Sequence, residues 1–193
     1  MLAGELYMAS DPELKAGHLH AQAVLARFNA TAATESALRR EILAGLFAHL
    51  GADVVVKPTF RCDYGYNISI GARSFLNFDA VLLDCNRITI GEEVQIAPGV
   101  HIYTATHPLD AATRRSGAEF ALPVTIGDGV WLGGGVIVCP GVTIGENTVV
   151  GAGSVVARDL PANCLAVGNP CRVVRTLDPQ GCREALVQAR SRG

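Results

Sequence analysis

A six-residue repeat of branched apolar side chains runs without a break through the second half of the chain. Its positions are Ile126, Leu132, Val138, Ile144, Val150 and Val156. Neither the 3.6-residue period of a helix nor the two-residue period of a single strand produces this spacing. A solenoid does, because each six-residue unit supplies one short strand and one turn, and three units close a triangular coil. The repeat therefore predicts a parallel β-helix whose branched side chains point to its axis, rather than a β-sandwich with coincidental spacing.

The same spacing recurs earlier in the chain and is interrupted once. It is present at Ile90, Ile96 and Ile102 and, two residues out of phase, at Ile70, Leu76 and Leu82. Between Ile102 and Ile126 a continued repeat would place Pro108, Arg114 and Phe120 inside the coil. Burying an unpaired Arg is costly. We therefore predict that residues 108–122 leave the solenoid as an excursion loop, and long loops on rigid scaffolds are often functional.

The N-terminal quarter has a different composition. Residues 1–50 hold 12 Ala and 3 Gly, whereas residues 51–175 hold 16 Gly. The spacing of Ser10 and Glu13 is that of a capping box. It predicts a first helix, and a second is predicted from about Thr34 to Leu50, ended by Gly51. We divide the chain into a helical segment (1–52), a β-helix (53–176) and a C-terminal tail (177–193).

Charge and cysteine usage narrow the classes of function. The net charge of −2 gives no field that would hold nucleic acid. The longest uncharged run, residues 129–145, contains six Gly and a Pro, which is unlike a membrane-spanning helix. The N-terminus lacks the basic and apolar regions of a secretory signal, and the six Cys form no Cys-x-x-Cys pair. We expect a cytoplasmic protein with reduced thiols and no metal site.

Several segments resemble one enzyme family over about residues 1–176. They are AGELY (3–7), FRCDYGYNI (60–68), LNFDA (76–80), APGVHIYTATHPLD (97–110), PVTIGDGVWLGG (123–134) and GNPCRV (168–173). These segments resemble the maltose and galactoside O-acetyltransferases, to which the nodulation acetyltransferases are related. The resemblance implies a left-handed parallel β-helix, a homotrimer, acetyl-CoA as donor, and a small sugar such as maltose or glucose as acceptor.

His107 is the catalytic residue that the resemblance implies. An alcohol is a poor nucleophile at neutral pH, and the pKa of imidazole suits removal of its proton. Without the family context, a solvated His beside a turn is the alternative. His101, one repeat unit earlier, is predicted on a different face, as a structural residue or one lining a neighbour's cleft. We interpret His18, His20 and His49 as surface or packing residues.

The resemblance also implies contacts to the acceptor. Asn77 is one, because its amide both donates to and accepts from hydroxyls. Asp63, Asp84 and Glu119 are the others, as carboxylates that accept from hydroxyl pairs. The galactoside branch has an N-terminal Asp where this chain has Ala9.

A further group of residues is implied for the donor. Trp131, Gly134 and Ala152 are expected along the pantetheine groove, and Arg158, Arg172 and Arg175 are candidates for the CoA phosphates. The bare N–H of Gly134 is placed to meet the thioester oxygen, as in an oxyanion hole. Arg172 and Arg175 are three residues apart in an extended segment, so they need not share a face, and we expect Arg172 to be the main contact.

Direct acetyl transfer is favoured, because no Cys or Ser stands beside His107 to carry the acetyl group. Three other functions stay open. The first is an acetyltransferase whose acceptor is a non-sugar or xenobiotic molecule. The second is an inactive scaffold, and the third is a metalloenzyme resembling the β-helical carbonic anhydrases. The last needs three His around zinc, and only His101 and His107 lie on the predicted coil.

Overall fold

Short stacked strands form most of the structure, a computed structural model that describes residues 1–178. The predicted tail lies outside the described residues except for its first two positions, and Cys182 lies outside them too. The strands are β1 (Tyr7–Met8), β2 (His49–Leu50), β3 (Val55–Val56), β4 (Phe60–Cys62), β5 (Ile68–Ile70), β6 (Phe75–Leu76), β7 (Ala80–Leu83), β8 (Ile88–Ile90), β9 (Gln95–Ile96), β10 (His101–Tyr103), β11 (Ala105–Thr106), β12 (Ala118–Ala121), β13 (Val124–Ile126), β14 (Trp131–Leu132), β15 (Ile137–Val138), β16 (Thr143–Ile144), β17 (Val149–Val150), β18 (Val155–Val156), β19 (Cys164–Val167) and β20 (Arg172–Thr176). The helices are α1 (Pro12–Asn29), α2 (Ser36–Ala44) and α3 (Ala111–Arg115).

Three sheets form the faces of a triangular coil, which confirms the predicted β-helix. Face 1 has the order β16-β13-β8-β5-β2, face 2 has β20-β19-β17-β14-β9-β6-β3, and face 3 has β18-β15-β10-β7-β4. Neighbouring strands within these faces run parallel, except for β19 and β20. Each coil contributes one strand to each face. The six repeat residues from Ile126 to Val156 are at most 1% exposed, so they form the core as predicted.

The two-residue phase shift in the repeat has a structural cause. Paired residues of face 1 are 20 apart at Ile70 and Ile90 but 18 apart at Ile126 and Ile144. The extra residues of the early coils lie between faces 3 and 1, in the loops 63–67 and 84–87, and the excursion leaves from the same corner. Three consecutive coils are thus enlarged at one edge of the prism, and their loops stack there.

The outward rows of the three faces differ in polarity. Face 1 presents His49, Ser69, Thr89, Thr125 and Thr143. Face 2 presents Val55, Phe75, Gln95, Trp131, Val149 and Leu165, and face 3 presents Arg61, Val81, His101, Ile137 and Val155. The row of face 1 is polar, as expected for a solvated surface, whereas the other two rows are largely apolar.

The start of the first helix and the end of the second differ from the prediction. The N-cap of α1 is Asp11, whose carboxylate accepts from the N–H of Glu13, and not Ser10. The second helix ends at Ala44 and not at Leu50, because the chain turns there and Leu50 belongs to β2 of the first coil. Leu46 and Phe47 are buried, so their apolar spacing reflects contact with the coil rather than a longer helix.

The excursion leaves the coil, as predicted, but it begins three residues earlier than predicted and is an ordered arm. It starts with β11, passes through α3 and returns as β12, which pairs antiparallel with β11 on one side and β1 on the other. Arg114 is exposed, and its guanidinium donates to the carbonyls of Pro108 and Leu109. We call the three-stranded sheet β1-β12-β11 the arm sheet. Within residues 1–178, no helix has the length and apolar character needed to cross a membrane.

Candidate active site

A cavity of about 590 Å³ opens where the enlarged corners stack. That volume lies within the ordinary range for small-ligand sites. Its lining comes from α1, from the two corner loops and from the arm, and includes Leu14, Lys15, His18, Leu19, Asp63, Tyr64, Leu83, Cys85, His107 and Glu119. A second cavity, between α2 and the first coil, contains none of the residues predicted for function.

Buried polar groups fix the loops around this cavity. The side-chain amide of Asn86 donates to the Ala121 carbonyl at 2.8 Å, which ties the second corner loop to the arm sheet. The hydroxyl of Thr104 donates to the Leu83 carbonyl and accepts from the N–H of Asn86. Because buried polar groups are costly when unpaired, these bonds hold the loops in one arrangement.

His107 and Glu119 face each other inside the cavity. Thr106 pairs with Phe120, so the next step along the same register places His107 opposite Glu119. The distance from His107 Nδ1 to Glu119 Oε2 is 3.9 Å, and the side chains are 58% and 15% exposed. The structure therefore gives the predicted base an open position and a nearly buried carboxylate beside it.

The cavity also contains a histidine that our sequence interpretation missed. His18 of α1 was expected to be a surface or packing residue. Its Nδ1 lies 3.1 Å from the Asp63 carbonyl and 3.9 Å from the Asp63 carboxylate. The FRCDYGYNI segment marked Asp63, but nothing in the helical pattern of α1 indicated that its second turn would reach that loop.

Burial changes the acid–base properties of the cavity floor. It raises the pKa of the Asp63 carboxyl, an effect that the Cys85 thiol, donating at 3.4 Å, and His18 partly offset. Burial, with the nearby Asp63 charge, also raises the pKa of the Cys85 thiol to about 12. Cys85 is therefore a protonated thiol at neutral pH, not a nucleophile.

Asp84, which was predicted to contact the acceptor, does not line the cavity, and that prediction is corrected. It is fully buried, and its carboxylate accepts from the backbone N–H groups of Asp63, Tyr64 and Asn67 at 2.8–3.3 Å. The side-chain amide of Asn67 donates to the Asp84 carbonyl in return. Asp84 thus holds the 63–67 loop, and with it Asp63, instead of facing a ligand.

The remaining predicted acceptor and thioester residues lie at a different corner, between faces 2 and 3. Asn77 follows β6, Gly134 follows β14 and Ala152 follows β17. The N–H of Gly153 donates to the Gly134 carbonyl at 2.9 Å, so the turn after β17 stacks directly on the turn after β14. No group of residues 1–178 accepts from the N–H of Gly134 or of Ala152, so both are free to bind a ligand.

Two family models and several known proteins match this chain. Residues 1–51 match the maltose acetyltransferase hexapeptide capping motif, and residues 123–158 match the bacterial transferase hexapeptide with six repeats. Nodulation protein L of Rhizobium meliloti (strain 1021) is 49% identical over 173 residues, which are 90% of this chain and 94% of that protein.

Two solved structures extend the comparison. The maltose O-acetyltransferase of Clostridium difficile 630 has a TM-score of 0.91 at 48% identity, covering 92% of this chain and 95% of that one. A galactoside acetyltransferase in complex with coenzyme A has a TM-score of 0.89 at 37% identity, covering 92% and 89%. The chain belongs to the maltose and galactoside O-acetyltransferase family. It is an acetyl-CoA-dependent acetyltransferase with a left-handed β-helix.

The acetyltransferase carries two of its three predicted phosphate contacts on one surface. Arg172 pairs with Val167 and Arg175 with Leu165, because a bulge in β20 adds one residue between these pairs. Directly opposed residues share a face of a sheet. The sequence left open whether Arg172 and Arg175 lie together, and the structure places both on the outer side of face 2.

Three of the residues predicted to contact the donor, Trp131, Arg172 and Arg175, therefore lie along one strip of the acetyltransferase. Trp131, which is 53% exposed, lies in the same outward row as Leu165, the partner of Arg175. Its indole offers an apolar surface, and the guanidinium groups at the end of the strip offer charge-assisted bonds to phosphate. These groups fit the thiol arm and the phosphates of CoA. Arg158 follows β18 at the corner between faces 3 and 1, so the fold does not bring it to this strip within one protomer.

The other His and Cys residues do not form a further centre. His101 lies on face 3, where its Nδ1 is 2.6 Å from the Tyr103 hydroxyl, and it does not line the His107 cavity. In the part of the chain that the structure describes, no three His, Cys, Asp or Glu side chains are grouped closely enough to hold a metal ion.

The position of Asp84 makes the stability of the acetyltransferase depend on pH. Burial raises the pKa of this carboxyl from 3.8 to about 6, against the opposing effect of its backbone N–H bonds. A raised pKa in the folded state stabilises the protein below pH 3.8, and that contribution is lost as the pH rises to about 6. At 1.36 kcal/mol per pKa unit, the loss is up to about 3 kcal/mol.

Asp84→Asn should remove this dependence. Urea unfolding of wild type and variant between pH 4 and pH 7 gives the difference in their free energies of unfolding at each pH. We expect the variant to gain up to about 3 kcal/mol relative to wild type across that range. A difference that stays constant with pH would contradict the assignment. Asp63, whose pKa is also raised, is present in both proteins and cancels.

Proposed function

We propose that this enzyme transfers the acetyl group of acetyl-CoA to a hydroxyl of a small sugar, such as maltose or glucose, in the cytoplasm. The observation that carries the proposal is the cavity in which an open imidazole, His107, stands beside the carboxylates of Asp63 and Glu119. Those carboxylates accept hydrogen bonds, which suits an acceptor with several hydroxyls. Relatives of this chain are named for sugar acetylation, as galactoside and maltose O-acetyltransferases.

The proposed reaction is direct transfer. His107 removes the acceptor hydroxyl proton while the hydroxyl oxygen attacks the thioester carbonyl carbon, forming a C–O bond. The free N–H of Gly134 donates to the oxyanion of the resulting tetrahedral intermediate. Its collapse breaks the C–S bond, and the proton passes from His107 to the departing thiolate. Cys85 lines the cavity but is not an acetyl carrier in this scheme, because its thiol stays protonated at neutral pH.

The acceptor is proposed to bind through Asn77, Asp63 and Glu119. Ala9 also lines the cavity, at the position where the galactoside branch has an Asp. A methyl group there supplies no hydrogen bond, so we propose a preference for glucose-type acceptors over galactosides. Steady release of CoA thiol in the presence of maltose, glucose, a galactoside, serine and chloramphenicol tests the class of acceptor. Turnover with serine or chloramphenicol alone would contradict a sugar substrate.

We further propose that the active unit is a homotrimer. His107, Asp63 and Glu119 lie at the corner between faces 3 and 1, whereas Asn77 and Gly134 lie at the corner between faces 2 and 3. One protomer thus carries two half-sites at different edges of the prism. A three-fold ring brings the first corner of one copy beside the second corner of the next and makes three equal sites. The largely apolar outward row of face 3, which lies between these two corners, supports such contacts.

The proposed trimer predicts the mass of the enzyme in solution and the activity of mixtures of two variant chains. Light scattering should give three times the 20.2 kDa mass of the chain. His107→Ala and Asn77→Ala chains, assayed at a low acceptor concentration where each has little activity alone, should recover part of the activity when they are unfolded, mixed and refolded, because some interfaces then hold both intact residues. A monomer with full activity, or a mixture with no recovery, would count against a shared site.

His107→Ala should lower kcat by at least about 100-fold, as expected for loss of a general base, with little change in the affinity for acetyl-CoA. His20→Ala is the matched control, since His20 is an exposed residue of α1 away from the cavity. Steady-state kinetics with maltose and calorimetry with acetyl-CoA give the two quantities. Turnover close to wild type in His107→Ala would show that another group is the base.

The shared face of Arg172 and Arg175 predicts that both contact CoA phosphates. Each Arg→Ala variant should weaken acetyl-CoA binding roughly 10–100-fold, the effect of losing one charge-assisted hydrogen bond. Arg27→Ala, on the exposed side of α1, controls for net charge. Acetyl-dephospho-CoA should bind wild type more weakly and lose little further on the variant whose partner is the 3′-phosphate. Equal affinities of wild type and both variants, measured by calorimetry, would remove these residues from the donor site.

A further inference from the structure

The arm sheet aligns three polar side chains that come from distant parts of the sequence. Tyr7 of β1 pairs directly with Glu119 of β12, and the β11–β12 register places His107 on the opposite side of Glu119. Directly opposed residues in a sheet project to the same face. The order across the arm sheet is therefore Tyr7, Glu119, His107, with the carboxylate in the middle.

Distances and exposure make Glu119 a partner for the imidazole. Its Oε2 lies 3.9 Å from Nδ1 of His107, and Glu119 is only 15% exposed whereas the imidazole is 58% exposed. A carboxylate held in a strand and shielded from water is a stronger hydrogen-bond acceptor than a solvated one. Because the two atoms are 3.9 Å apart, a hydrogen bond between them requires the exposed His107 ring to turn toward Glu119.

The third member of the row, Tyr7, places a buried hydroxyl near Glu119. The Tyr7 hydroxyl is buried, and among residues 1–178 it has no hydrogen-bond partner. Its polar neighbours are the Cys85 thiol and the Glu119 carboxylate, and burial with those neighbours raises its pKa far above the ordinary value. A phenol that stays protonated beside a carboxylate can donate a hydrogen bond to it.

Other charged groups surround the cavity but do not compete for Nδ1. Lys15 and His18 approach from α1 and Asp63 from the first corner loop. His18 is directed to Asp63, with its Nδ1 at 3.1 Å from the Asp63 carbonyl. Glu119 is the one carboxylate within 4 Å of His107 among the described residues.

We infer that Glu119 is a positioning residue for His107. Its Oε2 accepts the Nδ1–H, which fixes the neutral tautomer with a bare Nε2 facing the acceptor hydroxyl, and the Tyr7 hydroxyl orients the carboxylate. The inference rests on the proposed function, in which His107 is the base. It gives Glu119 a role in orienting the base, in addition to its proposed contact with the sugar.

The tautomer of His107 is a direct test that does not need activity. In protein labelled with ¹⁵N-histidine, long-range ¹H–¹⁵N spectra distinguish a protonated from a bare ring nitrogen, and comparison with His107→Ala assigns the signals. We expect wild type at neutral pH to show protonated Nδ1 and bare Nε2. Glu119→Leu should show a mixture or the reverse. Bare Nδ1 in wild type would overturn the inference whether or not the variants fold.

Kinetics separate positioning from sugar binding. Glu119→Leu should lower kcat at least about tenfold, beyond any rise in the acceptor KM that loss of a sugar contact causes. Glu119→Gln should be intermediate, and Tyr7→Phe should lower kcat by a smaller factor. Glu41→Gln, on α2, is the matched control for loss of one carboxylate. A higher acceptor KM with unchanged kcat and unchanged tautomer would make Glu119 a sugar contact only. By contrast, normal turnover in His107→Ala would contradict the proposed function itself.

Discussion

Hydrogen bonds between successive coils are the constraint on which the rest of this structure depends. Backbone N–H groups donate to the carbonyls of the adjacent coil at 2.8–3.0 Å on all three faces, as at Gly71, Asn77 and Val81. The first residue of the turn after face 1 must then be very small, since a Cβ on Gly127 would lie 2.7 Å from the Glu146 nitrogen. Extra residues therefore fit only as bulges at a corner, outside the stack. This enzyme places all of its large insertions at one corner, and the cavity is the space between them.

The core could be read from the sequence because its cause is local and repeated. A branched residue every six positions indicates a solenoid, and the repeat residues from Ile126 to Val156 lie in its core, as the spacing predicts. The end of the second helix could not be read in the same way. Leu46, Phe47 and Leu50 are apolar at helical spacing, but the first coil needs apolar residues at the same point, and tertiary contact decides between the two.

The candidate site was predictable where short segments resemble the family and not where contacts join distant residues. His107 and Asp63 belong to such segments, and the structure places both in one cavity together with Glu119. His18 was missed because it reaches Asp63 across 45 positions of sequence. Asp84 was misassigned because its partners are backbone N–H groups about twenty residues earlier. A single bulge in β20 decides the common face of Arg172 and Arg175, and no composition rule locates such a bulge.

The docking of α1 on the first coil has a consequence for self-association. Asn29 both donates to the Phe60 carbonyl and accepts from the Phe60 N–H, at 3.0 and 2.9 Å, and Gln22 donates to the Cys62 carbonyl at 3.0 Å. These side chains occupy backbone groups that would otherwise offer an open strand edge to another β-helix. At the C-terminal end of face 2, β20 runs antiparallel and breaks the repeat. Face 3 at the N-terminal end and face 2 at the C-terminal end are thus closed to a further parallel coil, which disfavours growth of the chain into a fibre.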